Sequence, residues 1–81
     1  MRIRFSDEFL KEYDKIKDRA LSLRVLKAIK KLTDKPEAGK PLQYSYKGFR
    51  RLRVDPFRIL YRIEGDVVEV AGFEHRSKAY R

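Results

Sequence analysis

Arginines are concentrated in the segment Lys47–Arg62, which reads KGFRRLRVDPFRILYR. The arginine side chain presents a planar fork of donors that binds a phosphate through two hydrogen bonds, and it also stacks on bases. Because successive strand side chains point to opposite faces, strands over this segment would place most of its arginines on one face. The segment therefore indicates either a polyanion-binding face or the ordinary solvated face of a small antiparallel sheet.

Asp55 and Pro56 divide this segment into two strands, and Pro56 suits the second position of a type I turn. If Asp55 and Pro56 form the loop, Arg53 lies across from Arg58; if the loop begins one residue later, Arg53 lies across from Leu60. Both registers place the same set of arginines on one face: Arg51, Arg53, Arg58 and Arg62. Like charges placed together cost stability, and a bound polyanion would relieve that cost.

The last ten residues, GFEHRSKAYR, carry the only histidine, His75, beside Arg76 and near Lys78 and Tyr80. Imidazole has the intrinsic pKa best suited to moving protons near neutral pH, whereas arginine stays charged. Tyr80 would need its pKa lowered by the surrounding arginines to transfer a proton, or it would stack on a base. The tail therefore indicates either a site or an ordinary polar surface segment, since a lone histidine is usually a polar surface residue.

Length and composition set bounds on the class of protein. The chain has 81 residues, a net charge of +9 and no cysteine, which excludes disulfide frameworks and cysteine metal sites. No apolar run approaches the roughly 20 residues that span a bilayer, and no signal-peptide pattern opens the chain. We therefore expect a cytoplasmic protein with no membrane association, folded as one domain over residues 1–81 with a small core.

The positive charge is localised along the chain. Residues 19–39 have a net charge of +4 and residues 40–62 a net charge of +6, whereas residues 1–18 are neutral. A basic surface of this kind indicates a nucleic acid or an acidic protein partner. Glu69 and Glu74 are expected to neutralise nearby arginines, although either carboxylate could also accept a proton.

The N-terminal half predicts one strand and two helices. Alternation over Arg2–Phe5 predicts a short strand. Ser6 caps a first helix that ends near Lys17, and Asp18 caps a longer second helix that reaches about Thr33. The second helix should bury a stripe of apolar residues. That stripe comprises Leu21, Val25, Ala28, Ile29 and Leu32, widened by Leu23 and Leu26.

The C-terminal half adds strands to this pattern. Lys35–Leu42 contains two prolines and a glycine and predicts a structured connector. Gln43–Lys47 is ambiguous, because Tyr44 and Tyr46 either begin the next strand or pack over an edge. After the two arginine-bearing strands and a tight turn, Val67–Phe73 predicts the last strand.

This order of elements resembles the RelE/ParE toxin superfamily over essentially the whole chain. The resemblance rests on three segments in this order and spacing: LTDKPEAGKPL, FRRLRVDPFRILYRIEGD and HRSKAY. It implies an α+β fold in which two N-terminal helices pack on one face of a small, mainly antiparallel four-stranded sheet, in the order β-α-α-β-β-β. The other face of the sheet would be concave and basic.

The arginine set and the HRxxxY ending favour the RelE-like branch of this superfamily. That resemblance implies the toxin of a type II toxin–antitoxin system, cleaving messenger RNA in the ribosomal decoding site. The 2′-hydroxyl would attack the adjacent phosphate without a metal or other cofactor. The catalytic residues carried over are Arg51, Arg53, Arg58, His75, Arg76 and Tyr80. The RNA-binding residues are Arg50, Arg62, Lys47 and Lys78.

The resemblance also implies a partner, a cognate RelB-like antitoxin with an acidic, partly apolar segment that folds as it binds. The free toxin is expected to be a monomer. Two other functions stay open. A ParE-like protein shares the fold but inhibits DNA gyrase, and a non-catalytic nucleic-acid-binding module would keep the fold without the chemistry.

Overall fold

Two helices pack on one face of a five-stranded sheet in the computed structural model, which describes residues 1–76. In chain order the elements are β1 (Arg2–Phe5), α1 (Asp7–Asp14), α2 (Arg19–Lys30), β2 (Lys40–Pro41), β3 (Phe49–Val54), β4 (Phe57–Glu64) and β5 (Val67–His75). Short 3₁₀ turns lie at Lys31–Thr33 and Tyr44–Tyr46.

The sheet has the strand order β1-β5-β4-β3-β2. β1 pairs with β5 in parallel and the other neighbours pair antiparallel, which confirms the predicted α+β class and mainly antiparallel sheet. The number of strands was predicted wrongly, as four. The additional strand, β2, is two residues long and contains Pro41, so it has no alternating pattern by which the sequence would show it.

Both helices begin at the predicted caps. The Ser6 hydroxyl accepts a hydrogen bond from the Phe9 amide at 3.0 Å and donates one to the Ala71 carbonyl at 2.7 Å. It therefore starts α1 and ties this helix to β5. Asp18 caps α2 by accepting from the Leu21 amide at 3.1 Å. α1 ends at Asp14, earlier than predicted. The hydrogen bonds of its last turn join residues three apart, as in a 3₁₀-helix, instead of four apart.

The core lies between the helices and one face of the sheet. Its buried residues are Phe9, Val25, Ile29, Leu32, Val54, Ile59, Tyr61, Val68, Val70 and Phe73. The prediction that Leu23 and Leu26 widen the buried stripe of α2 is wrong, since these side chains are 49% and 40% exposed. Leu23 lies about 200° around the helix from Val25, so both cannot face the sheet.

Tyr61 joins the connector between α2 and β3 to the centre of the sheet. Its hydroxyl donates to the Pro36 carbonyl at 2.7 Å and accepts from the Gly39 amide at 2.8 Å. Burial raises the pKa of Tyr61, which keeps the hydroxyl protonated and able to donate. Arg50 adds hydrogen bonds to the carbonyls of Gly39 and Glu37 at 2.9 and 3.3 Å. The connector is thereby fixed against β3 and β4.

Replacing Gly39 should break this arrangement. A Cβ atom at Gly39 would lie 2.6 Å from the Cε1 atom and from the hydroxyl oxygen of Tyr61. We expect Gly39→Ala to lower the free energy of unfolding by about 1–3 kcal/mol, measured by urea denaturation. Gly72→Ala is the matched control, because its Cβ would lie 3.6 Å from Leu60, at ordinary contact distance. Equal stability of the two variants would contradict the role given to this contact.

Candidate functional site

The arginines of β3 and β4 lie on the sheet surface opposite the helices, here called the open face. Arg53 pairs directly with Arg58, so Asp55 and Pro56 form the loop and the first of the two predicted registers is correct. Val54 pairs with Phe57, so Pro56 is the third residue of this turn and the prediction that it is the second is wrong. The register places Arg51 and Arg62 on the open face as well.

Arg50 lies apart from this group. Its register partner is Tyr61, which belongs to the core side of the sheet, and its guanidinium donates to connector carbonyls. RNA binding by Arg50 is a prediction of the family resemblance. The structure instead places it among the hydrogen bonds that hold the connector.

A cleft of about 460 Å³ opens on the arginine-bearing side of β3. It is lined by Ala38, Lys40, Arg51, Leu52, Arg53 and Arg58, and is here called the arginine cleft. None of these lining residues is acidic. The cleft therefore has the charge and hydrogen-bond donors to hold a phosphate group.

Lys40 is the one charged residue lining the arginine cleft that was not predicted from the sequence. It enters the cleft because β2 pairs it with Arg51 across the β2–β3 ladder. That pairing depends on the connector, which Tyr61 and Arg50 hold in place. The only sequence signal was the position of Lys40 between Gly39 and Pro41, and this does not reveal a neighbour on another strand.

Arg58 is the most deeply placed side chain of the cleft. It is 6% exposed and lies on β4, the central strand of the sheet. Burial limits the conformations that this side chain can adopt, so its guanidinium requires little rearrangement to meet an anion. On β5 the register partner of Arg58 is Glu74, which places this carboxylate on the same face.

Asp55 lies at the end of the cleft where the β3–β4 turn closes. It accepts a hydrogen bond from the Nε atom of Arg53 at 3.0 Å. This hydrogen bond, with the nearby charges of Arg53, Arg76 and Arg58, holds the pKa of Asp55 below its usual value. The Arg76 amide donates to the Pro56 carbonyl at 2.7 Å. The structure thus brings Arg76 to the same end of the sheet as Arg53 and Arg58.

A separate group of charges occupies the other end of the open face. Glu69 accepts hydrogen bonds from Arg4 and Arg62 at 2.8 Å each, and Glu64 lies within 3.3 Å of both guanidiniums. The Arg62 guanidinium also lies 5.5 Å from the centre of the Phe49 ring. Arg62 is therefore neutralised within the protein, as the sequence analysis expected of arginines near Glu69, and it does not line the arginine cleft.

His75 lies on the helix side of the sheet. Its register partner is Phe57, and its ring stands perpendicular to the Phe57 ring with 5.6 Å between the centres. It borders a pocket of about 540 Å³ that also touches Glu8 and Glu12 of α1. The structure therefore does not bring His75 to the arginine cleft.

One further predicted site residue, Lys47, lies outside both groups. Lys47 is exposed in the loop before β3. Lys78 and Tyr80 fall outside the described residues. Within residues 1–76, no three histidine, aspartate or glutamate side chains are grouped so that they could hold a metal ion. No helix of the described part of the chain is long and apolar enough to cross a membrane.

Several solved structures have this fold. A chain of the RelBE2 toxin–antitoxin complex from Mycobacterium tuberculosis matches with a TM-score of 0.79 and 29% identity, covering 93% of this chain and 96% of that chain. A chain of the YoeB-YefM complex from Staphylococcus aureus matches with a TM-score of 0.79 and 13% identity, covering 93% and 95%. The fold is therefore that of toxins from toxin–antitoxin complexes.

An archaeal complex extends this comparison. A chain of the RelB-RelE antitoxin–toxin complex from Methanococcus jannaschii matches with a TM-score of 0.75 and 20% identity, covering 95% of this chain and 94% of that chain. No curated protein matches the sequence significantly.

The sequence itself identifies the family. Residues 3–80 match the family described as the ParE toxin of the type II toxin–antitoxin system parDE. The chain belongs to this family of type II toxins, which confirms the resemblance to the RelE/ParE superfamily.

The Glu69 group gives a prediction for the pH dependence of stability. Hydrogen bonds from Arg4 and Arg62 hold the pKa of Glu69 below its model-peptide value of 4.5. The resulting stabilisation is present above pH 4.5 and is lost as pH falls through the lowered folded-state pKa. We expect Glu69→Gln to melt below the wild type at pH 7, with the difference disappearing well below pH 4.5.

Thermal unfolding followed by circular dichroism across this pH range would test the prediction. Glu37→Gln is the matched control, because the described structure gives the Glu37 carboxylate no ion pair. A melting difference for Glu69→Gln that is independent of pH would contradict the assignment to the ionised carboxylate.

Proposed function

We propose that this toxin is a ribosome-dependent endoribonuclease of the RelE type, which cleaves messenger RNA in the ribosomal decoding site. The observation that carries the proposal is the arginine cleft, in which three arginines and Lys40 surround a space of about 460 Å³ with no lining carboxylate. Such a cleft fits the phosphate between two nucleotides. It also explains why Arg53 and Arg58 lie side by side despite their mutual repulsion.

The proposed reaction is a phosphoryl transfer within the RNA. The 2′-oxygen of one nucleotide attacks the adjacent phosphorus, the bond from phosphorus to the 5′-oxygen of the next nucleotide breaks, and a cyclic phosphate and a free 5′-hydroxyl result. One proton leaves the 2′-hydroxyl and one reaches the departing oxygen. Negative charge on the nonbridging oxygens grows in the transition state, and guanidiniums already in place stabilise it.

Arg51, Arg53 and Arg58 are the groups proposed to hold this phosphate. Arg76, at the same end of the sheet, is proposed to assist them. Proton transfer needs another group, because arginine stays charged. His75 is turned to the helix side, so Tyr80 and Glu74 are the better candidates, with Glu74 on the open face across from Arg58.

Substitution of the cleft arginines tests the proposal. We expect Arg51→Ala and Arg58→Ala each to lower the rate of message cleavage on programmed ribosomes about a hundredfold or more, because each removes a preorganised positive charge. New RNA 5′ ends would be mapped by primer extension. Arg58→Lys tests whether the planar fork is needed in addition to the charge.

Arg19→Ala is the control for this experiment, since Arg19 is an exposed arginine on α2. It loses the same side chain without touching the open face. Circular dichroism confirms that each variant is folded, which matters most for the buried Arg58. An intact message with folded wild-type protein, or full cleavage by Arg51→Ala and Arg58→Ala, would overturn the nuclease proposal.

The family description favours one second candidate. It names ParE, and the ParE-like function considered above is inhibition of DNA gyrase. A supercoiling assay with purified gyrase separates the two. Inhibition by wild-type protein that survives Arg51→Ala and Arg58→Ala would support the gyrase function, whereas absence of inhibition together with message cleavage would support the nuclease.

A cognate antitoxin is the proposed protein partner, because the solved relatives include complexes with RelB and YefM. The open face supplies positive charge for an acidic segment. Leu23 and Leu26, three residues apart on α2, supply exposed apolar surface for the apolar part of the antitoxin segment. We propose that one flexible segment covers both surfaces and folds as it binds.

Acidic substitutions on the exposed apolar surface of the helix should weaken this complex. We expect the double variant Leu23→Glu, Leu26→Glu to bind the antitoxin at least tenfold more weakly in titration calorimetry, because exposed apolar contacts are lost and acidic groups are added. Its melting temperature should stay close to that of the wild type, since neither side chain is buried. Leu32→Glu, in the core, is the contrasting variant and should unfold the protein. Unchanged affinity of the double variant would place the antitoxin elsewhere.

A further inference from the structure

Two tyrosines are displayed to solvent in the loop that joins β2 to β3. Tyr44 is 94% exposed and Tyr46 is 52% exposed. The sequence predicts that these tyrosines begin a strand or pack over an edge. The structure shows instead a 3₁₀ turn over Tyr44–Tyr46. Neither residue belongs to the buried core, and the almost fully exposed Tyr44 ring contributes little to folding.

The backbone of Tyr44 adds to this observation. Its φ angle is +59°, in the left-handed region that residues with a Cβ atom rarely adopt. The loop is held by backbone hydrogen bonds, from Tyr46 to Gln43 at 3.2 Å and from Lys47 to Tyr44 at 3.0 Å. A glycine would fit this position at lower cost. An exposed ring at a strained position points to a role outside the fold.

The loop is continuous with the open face. β3 leaves it at Phe49, and the alternate residues Phe49, Arg51 and Arg53 lie on that face. Phe49 and Arg53 are four residues apart, which is about 13 Å along a strand. The tyrosines lie beyond the Phe49 end of this row, and the arginine cleft lies at its other end. From Lys40 to Val54 the sequence contains no aspartate or glutamate. Basic residues interleaved with exposed aromatic rings are typical of surfaces that bind single-stranded nucleic acid.

We propose that Tyr44 and Tyr46 form a stacking site for unpaired RNA bases. These bases belong to the same RNA molecule whose scissile phosphate lies in the arginine cleft. The inference rests on the proposed nuclease function and names a substrate contact for it. Stacking requires only an exposed ring face, so the contact would hold bases with little regard to sequence. The segment Lys40–Val54 carries no carboxylate of its own, which suits an anionic partner. The exposed rings favour RNA over an acidic peptide, because rings exposed singly stack on bases but bury little area against a protein.

Photocrosslinking provides the direct test. Full-length protein is irradiated with an oligouridylate that contains 5-iodouridine, and the crosslinked peptides are mapped by mass spectrometry. We expect crosslinks at Tyr44 or Tyr46. Crosslinks confined to other residues would overturn the inference.

Affinity for the same oligouridylate provides the quantitative test. Tyr44→Ala, Tyr46→Ala should bind about tenfold more weakly than wild type, while Tyr44→Phe, Tyr46→Phe keeps the rings and should bind as wild type does. The dependence of affinity on salt should be unchanged in the alanine double variant, because no charge is lost, whereas Arg51→Ala should reduce the salt slope by about 0.7. Equal binding by the alanine and wild-type proteins would overturn the inference, as would an equal loss in the phenylalanine variant.

Tyr44→Gly separates binding from folding. It removes the ring and relieves the left-handed backbone, so its melting temperature should equal or exceed that of the wild type while its RNA affinity falls. A fall in antitoxin affinity with unchanged RNA affinity would overturn the inference and assign the rings to a protein interface.

Failure of the stacking-site proposal can be distinguished from failure of the nuclease proposal. Cleavage by wild-type protein with full RNA binding and cleavage by the alanine double variant would reject the stacking site and leave the nuclease intact. Ring-dependent RNA binding with no cleavage on ribosomes would support the stacking site and reject the nuclease.

Discussion

The hydroxyl group of Tyr61 is the contact on which the functional surface depends. It is buried at the centre of the sheet, and it donates to Pro36 and accepts from Gly39. A buried hydroxyl that lost these partners would carry its full desolvation cost. The two hydrogen bonds therefore satisfy the side chain and also set the path of the connector. Because the connector ends in β2, the same contact places Lys40 beside Arg51.

The helices and the sheet then divide the charges of the protein. One face of β4 is sealed by apolar side chains under α1 and α2, so its polar residues must lie on the open face. On that face Glu69 and Glu64 meet Arg4 and Arg62 at one end, while Glu74 lies across from Arg58. At the other end Arg53 lies opposite Arg58, and none of the residues lining the cleft is acidic. The positive charge of the cleft therefore depends on where the sheet places each charged residue, as well as on how many basic residues the sequence contains.

Much of the fold follows from local patterns that act over a few residues. The caps at Ser6 and Asp18, the alternation in β3 and β4, and the location of a turn at Asp55 and Pro56 were all predicted. These succeeded because capping and alternation depend on neighbours in the sequence. The exposure of Leu23 and the existence of β2 were not predicted, because each depends on what the rest of the chain packs against. For the candidate site, the same limit explains why sequence patterns do not reveal the contact of Arg50 with the connector, the helix-side position of His75 or the position of Lys40 in the cleft.

The sequence by itself determined the class of fold and the grouping of Arg51, Arg53 and Arg58, because strand alternation gives the same face in either predicted register. The tertiary structure sets the roles of the basic residues around this group. Arg62 is neutralised by Glu69 from a neighbouring strand, and Arg50 is used by the connector, while Lys40 joins the cleft through an edge strand. These pairings join residues from 7 to 11 positions apart in the chain, and only the packing of the strands brings them within hydrogen-bond or ladder distance.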